Sequence, residues 1–357
     1  MSGIHTVREV EALAAARLNP VHLDYFAGGA EDETTLRANE AAFARTRLLP
    51  RIMCGADEPA LSTTLLGAPA SMPVLIAPTA FHKLADPEGE AATARAAAAA
   101  GVIMIAAMAS TVAIEEVAAA ARKVAEPRLW FQLYLQPDRG VTEALVRRAE
   151  DAGCRALVVT VDSPALGHSD RNDRNGFHDL PPGMVCENLR DLRGGEPGHV
   201  RQIVMSPALS WSDLAWLRTI TDLPVVLKGV LHPADARRAS REGFDGIIVS
   251  NHGGRQLDGV PATLDALPAV VEAADGLTVL LDGGIRRGTD VVKALALGAH
   301  AVAVGRPIVW GLAAAGEPGV RRVLELLATE LAHTLTLCGY ASPAEVSRDL
   351  IWTGAPC

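Results

Sequence analysis

The residues best suited to do chemistry lie in one run, Ser250-Asn251-His252-Gly253-Gly254-Arg255-Gln256-Leu257-Asp258. Histidine is the side chain that exchanges protons near neutral pH, and arginine is a permanent cation that holds anions. His252 and Arg255 stand three positions apart, so one loop carries a proton carrier and an anion anchor. The loop follows Gly246-Ile247-Ile248-Val249, a β-branched stretch that reads as a buried strand. Both side chains then fall just past a strand's C-terminal end. Taken alone, the run fits a solvated surface loop equally well, so the elements around it must decide.

Those elements repeat. Residues 6–45 read as three helical segments, broken at Pro20 and at Gly28-Gly29, and 50–73 is turn-rich with room for a small hairpin. From 74 onward short apolar runs recur at 74–78, 102–107, 129–135, 156–161, 225–228, 246–249, 278–281 and 301–304. Helical patterns follow them, as at 88–100, 114–123, 142–152, 212–221, 233–242 and 289–297. This alternation predicts a parallel α/β sheet, and eight units are what close a (β/α)8 TIM barrel. An open doubly wound sheet is the alternative, disfavoured because no early GxGxxG follows a strand. Polar residues fall at the strand ends, where such barrels keep their active sites. Pro78-Thr79-Ala80 close the first strand, Gln132 and Tyr134 the third, and Thr160 and Asp162 the fourth. Lys228 closes the fifth, Asp282-Gly283-Gly284-Ile285-Arg286 the seventh and Gly305-Arg306 the eighth. The last two glycine turns have the form of a phosphate site, exposed N–H groups beside arginine, for a substrate or a cofactor. Between Asp162 and Ser212 the rhythm breaks for about fifty residues, far beyond the usual βα loop. This polar segment, with Leu180-Pro181-Pro182-Gly183 and Arg193-Gly194-Gly195, reads as a mobile lid over residues 163–211. The expected organisation is one domain, 1–357, with 1–72 as an N-terminal helical extension.

Composition excludes several classes. The chain has 357 residues and a formal net charge of -9, with no basic tract, so nucleic acid is not an expected partner. The five cysteines are scattered and form no CxxC, which argues against disulfides and structural zinc. No signal peptide or membrane-spanning stretch is read, and a cytoplasmic protein is expected. No nucleophile pairing or metal-ligand spacing such as HExxH appears, so no metal site is expected. What remains is His252, Asp162 to orient it, Arg255, Lys228 and tyrosines, a set suited to proton removal and electron transfer to a bound organic cofactor.

These residues resemble the FMN-dependent α-hydroxy-acid oxidase and dehydrogenase family, which includes glycolate oxidase, lactate oxidase, mandelate dehydrogenase and hydroxymandelate oxidase. The resemblance runs from Asp24-Tyr25-Phe26-Ala27-Gly28-Gly29 through Ala77-Pro78-Thr79-Ala80, Phe131-Gln132-Leu133-Tyr134 and Thr160-Val161-Asp162. It continues through Leu227-Lys228-Gly229, Ser250 to Asp258, Asp282 to Gly288 and Gly305-Arg306-Pro307. It implies an FMN enzyme oxidising an (S)-2-hydroxy acid to the 2-oxo acid, with oxygen or an unidentified carrier as electron acceptor, and a homotetramer. It implies His252 as base, Asp162 as stabiliser of its imidazolium, Arg255 and Tyr25 on the substrate carboxylate, Tyr134 near the substrate, and Lys228 at the flavin edge. Pro78, Thr79, Ala80, Gln132 and Thr160 would face the flavin ring. Ser250, Asp282, Gly284, Arg286, Gly305 and Arg306 would hold the ribityl chain and phosphate. Three departures from the family pattern matter. Ala109 stands where glycolate oxidase-like members carry a pocket tryptophan, Ala107 replaces a hydroxyl residue, and His168-Ser169 replace two arginines, one a carboxylate clamp. The enlarged pocket, for which Phe26, Phe81 and Met108 are apolar lining or equally core, favours a bulky or aromatic acid of the mandelate type; lactate oxidase or lactate 2-monooxygenase-type activity is the alternative. Inosine monophosphate dehydrogenase-like barrels share the phosphate turns but need a loop cysteine, for which only Cys186 qualifies. A flavin-binding protein without turnover would require loss of His252, Arg255 or Lys228, and all three are present.

Overall fold

The computed structural model describes residues 3–55, 58–192 and 198–354. Eight parallel strands close into a barrel: β1 (Val74–Ile76), β2 (Met104–Ala107), β3 (Leu129–Leu133), β4 (Leu157–Thr160), β5 (Val225–Val230), β6 (Gly246–Val249), β7 (Thr278–Asp282) and β8 (Ala301–Val304). Each pairs with its sequence neighbours, and β8 returns to β1 through Val302 opposite Val74. Closure removes every strand edge. The strands read as continuous apolar runs because both faces are covered. Side chains alternate: Ile105, Trp130, Val158, Val226, Ile248 and Leu280 fill the barrel interior, while Phe131, Val159, Leu227, Val249 and Leu281 meet the helices. The expected hairpin forms at Thr63–Leu65 and Ala68–Ala70, and its Leu65 and Ala70 join the barrel's inner cluster.

Three N-terminal helices precede the barrel: α1 (Val7–Arg17), α2 (Pro20–Ala27) and α3 (Thr34–Arg45). Pro20 starts α2 at a position where its missing N–H is no loss. The outer ring is α4 (Gly89–Ala100), α5 (Ile114–Arg122), α6 (Arg139–Ala152), then α7 (Asp170–Asn175) in the long β4 connection, α8 (Trp211–Leu217), α9 (Pro233–Arg241), α10 (Thr263–Ala273), α11 (Gly288–Ala296) and α12 (Arg306–Cys338). Helix α12 is broken at Ala315 and Gly316, which leave helical geometry.

The long connection is tied down in part. Asn188 is fully buried, its Nδ2 donating to Ala107 O and Met108 O and its Oδ1 accepting from Ile114 N–H. Arg148 Nη1 gathers the carbonyls of Glu187, Asn188 and Arg190. The Leu180-Pro181-Pro182-Gly183 turn is exposed to half-exposed, and Arg193-Gly194-Gly195 lies outside the described residues, as does Cys357. No helix among the described residues is long and apolar enough to cross a membrane.

Candidate active site

The loop after β6 turns sharply over the barrel mouth. His252, Gly253 and Gly254 all take left-handed backbone, with φ of 59°, 64° and 75°. Glycine is required at 254, where a Cβ would fall 2.6 Å from Leu36 N of α3. Ser250 Oγ accepts the His252 N–H at 3.0 Å, and His252 Nδ1 lies 3.1 Å from Asp162 Oδ1. Burial would raise the Asp162 carboxyl, but His252 and Lys228 overcome it and hold it at about 2. The ionised carboxylate therefore accepts a hydrogen bond from Nδ1–H, which leaves Nε2 as the basic nitrogen.

A polar layer lines the strand ends beneath this pair. Lys228 is buried; its Nζ donates to Ser250 Oγ at 3.1 Å and lies 3.3 Å from Asp282 Oδ2. Gln132 Nε2 donates to Thr160 Oγ1 at 3.0 Å, and its Oε1 accepts from Met108 N–H. Arg255 lies over the Tyr25 ring, 5.0 Å from its centroid, and donates to Tyr25 O and Gly28 O. Burial raises the Tyr25 phenol despite Arg255, and burial with Asp162 nearby raises that of Tyr134, so both rings remain neutral donors.

At the β7 and β8 ends the chain presents cations and bare backbone. Gly283 and Gly284 have φ of 88° and 89°, and a Cβ on Gly284 would meet Asn39 O at 2.5 Å. Arg306 opens α12, but its guanidinium is taken up by Phe26 O, Gly253 O and Gly28 O. What it offers an anion is the backbone N–H at the helix start. Space at Gly305 is tight: a Cβ would sit 3.1 Å from Thr79 Cγ2. Thr79 turns its hydroxyl to His82 Nε2 at 2.5 Å, while Pro78 and Ala80 stay half-buried beside it. Asp162 Oδ2, Asp282 Oδ1 and Arg286 Nε are buried without a hydrogen-bond partner.

The structure decides between lining and core for several pocket candidates. Met108 is wholly buried and its sulfur accepts the Tyr134 N–H, so it is core and not pocket lining. Phe26 is also core, packed edge-on against Tyr25, while Phe81 stacks on that same ring. Ala109 is only 7% exposed. Phe177, unremarked in the sequence, comes from the long connection to lie 5.1 Å from the Tyr25 ring centroid. His168 faces Asp170 and Asp173, and Ser169 caps α7. Sequence reading also missed Asn39, whose amide pairs reciprocally with Asn251 at 2.9 and 2.8 Å and locks the β6 loop to α3. The Asn251 neighbour of His252 was visible; its partner on α3 carried no signal. Among the described residues no group of three His, Cys, Asp or Glu could hold a metal ion.

A family model described as FMN-dependent dehydrogenase matches residues 14–353. The chain is 48% identical over 353 residues to an L-lactate oxidase of Nostoc sp., covering 96% of each. It is 48% identical over 363 residues to glycolate oxidase of Spinacia oleracea, covering 98% of this chain and 97% of that one. A solved mandelate oxidase with (S)-2-phenylpropionate matches with a TM-score of 0.88 at 43% identity over 97% of both chains. Matches that run the whole barrel and its N-terminal helices leave one conclusion: the chain belongs to the FMN-dependent 2-hydroxy-acid oxidase family and is an FMN-dependent oxidoreductase of 2-hydroxy acids.

Proposed function

We propose that the enzyme oxidises (S)-2-hydroxy acids with a bulky or aromatic side chain, of the mandelate type, to the 2-oxo acids. FMN, when bound, supplies the two-electron acceptor. The donor set fits that cofactor on three observations. Asp282 Oδ1 and Arg286 Nε are buried polar atoms awaiting a partner, the 283–284 turn exposes N–H groups, and Lys228 is a buried cation among hydrogen-bonding side chains. Gln132, Thr160 and Lys228 would meet the ring together with the Pro78–Ala80 backbone. Ser250, Asp282, Gly284, Arg286, Gly305 and Arg306 would hold the ribityl phosphate arm.

The chain's own chemistry follows. Arg255, held over Tyr25, binds the substrate carboxylate, and the Tyr25 and Tyr134 hydroxyls donate beside it. His252 Nε2 takes the proton that the substrate gives up, and Asp162 stabilises the resulting imidazolium through Nδ1. Lys228 places positive charge where electrons arrive. The relatives named oxidases support oxygen as the final acceptor; turnover with oxygen against turnover with a dye alone decides between oxygen and a carrier.

The substrate class rests on Ala109. A methyl group just past the β2 end takes up less of the pocket than an indole would, and each additional buried CH₂ of a larger substrate is worth roughly 0.8 kcal/mol. The test is kcat/KM across glycolate, lactate, 2-hydroxyoctanoate and mandelate, repeated with Ala109→Trp. Mandelate or 2-hydroxyoctanoate should lead, and tryptophan should reverse the order. Glycolate leading in the unmodified enzyme would sink the pocket reading. A lactate-type activity is the second reading, favoured by the near-complete burial of Ala109 and by the L-lactate oxidase relative.

A further inference from the structure

Helix α3 presents two consecutive polar residues to two different loops of the barrel mouth. Asn39 pairs with Asn251 after β6, and Glu40 reaches Arg286 after β7. Glu40 Oε1 lies 2.9 Å from Arg286 Nη2. The other terminal nitrogen, Nη1, donates to Ile285 O at 2.9 Å, and the Arg286 backbone N–H donates to Asp290 Oδ2 at 2.9 Å. Two corners of the guanidinium are thus fixed. The third, Nε, is buried and has no partner. A buried donor left unpaired is costly, so such an atom marks where a ligand's acceptor belongs.

The neighbourhood is strongly cationic. Desolvation, with Arg255 and Arg286 nearby, pushes the Arg306 guanidinium down to about 9, and Glu40 and Glu33 act against that shift. Glu40 therefore offsets repulsion among arginines while holding one of them. A carboxylate there would also repel a phosphate. The Glu40 side chain is 40% exposed and has a second, exposed partner in Arg8 at 3.8 Å, whereas the Arg286 side chain is 11% exposed. Solvent screens the repulsion from a half-exposed charge, but orientation of a nearly buried guanidinium is not screened. Orientation should win.

We propose that Glu40 is a positioning residue for the phosphate of FMN, holding the Arg286 guanidinium so that Nε is turned to the phosphate oxygens. This rests on the reading above that Arg286 binds that phosphate. The test titrates FMN and riboflavin, which lacks the phosphate, into the flavin-stripped full chain and follows flavin fluorescence. Glu40→Ala should weaken FMN binding about tenfold and leave riboflavin binding unchanged. Glu40→Gln keeps an acceptor oxygen and should bind FMN close to wild type. Unchanged or tighter FMN binding by Glu40→Ala overturns the proposal. So does an equal loss for FMN and riboflavin, which would mean that α3 has merely loosened. Arg286→Met separates the two levels: if it leaves the preference for FMN over riboflavin intact, the phosphate reading of Arg286 falls. If it removes that preference while Glu40→Ala does not reduce it, only the role of Glu40 falls.

Discussion

In the proposed reaction two neighbours divide the tasks around His252: Asp162 settles which nitrogen carries the proton, and Ser250 fixes the backbone that aims the ring. Replacement by asparagine should keep FMN bound while slowing anaerobic flavin reduction by substrate by about 10²–10⁴, the usual contribution of a general base. Near-wild-type reduction would remove His252 from the reaction. The Asp162 carboxyl is depressed from 3.8 to about 2, so its ionised form contributes stability fully above 3.8 and loses that contribution as pH falls through about 2. Acid-unfolding curves of the wild type and Asp162→Asn should therefore converge in that window. His252, Arg255 and Lys228 were legible in the sequence because a charged or titratable residue at the end of an apolar strand has few structural uses. Asn39 was not legible. Its meaning is its pairing with Asn251, 212 residues away, and nothing local distinguishes it from any helical asparagine.

At the scale of elements, the eight strands could be read directly, since strands covered on both faces are uninterrupted apolar runs. Helix ends were less legible because caps set them. The helix expected from 142 begins at Arg139, where the Asp138 side chain accepts the Gly140 N–H. The long β4 connection illustrates the same limit more strongly. Its composition gives a loop, yet Asn188 and Arg148 bind it to the β2 end and to α6 through backbone carbonyls, which a sequence does not reveal. Asn188→Ala leaves a buried N–H and two buried carbonyls unpaired, a cost of about 1–3 kcal/mol per group before water enters. Limited proteolysis should then cut between 163 and 190 faster than in the wild type while the barrel stays intact. An unchanged cleavage rate would show that Asn188 does not anchor the segment.

At the scale of the molecule, several exposed apolar residues come from segments that meet. Leu49, Ile52, Met53, Leu337 and Trp352 are exposed. Their segments meet through Leu49 N–H to Leu350 O, Trp352 N–H to Arg47 O, and the close approach of Gly339 to Cys54. Exposed apolar residues gathered from neighbouring segments are characteristic of protein contacts. With the homotetramer expected from the family resemblance, light scattering should give four times the 37.4 kDa chain mass, and Ile52→Asp should lower it. A 37.4 kDa species for the unmodified protein would refute the assembly. Finally, the N-terminal helices carry a consequence for how the enzyme is made. Asp258, which accepts the first N–H groups of α3, follows Thr35 by 223 residues, and Arg306 follows Gly28 by 278. The ribosome thus releases α2 and α3 long before Asp258 and Arg306 exist to hold them, and contacts this distant in sequence close late. A nascent chain that stops short of Arg306 has no guanidinium for the carbonyls of Phe26 and Gly28, so the first segment synthesised takes its final place only when the last strand of the barrel is complete.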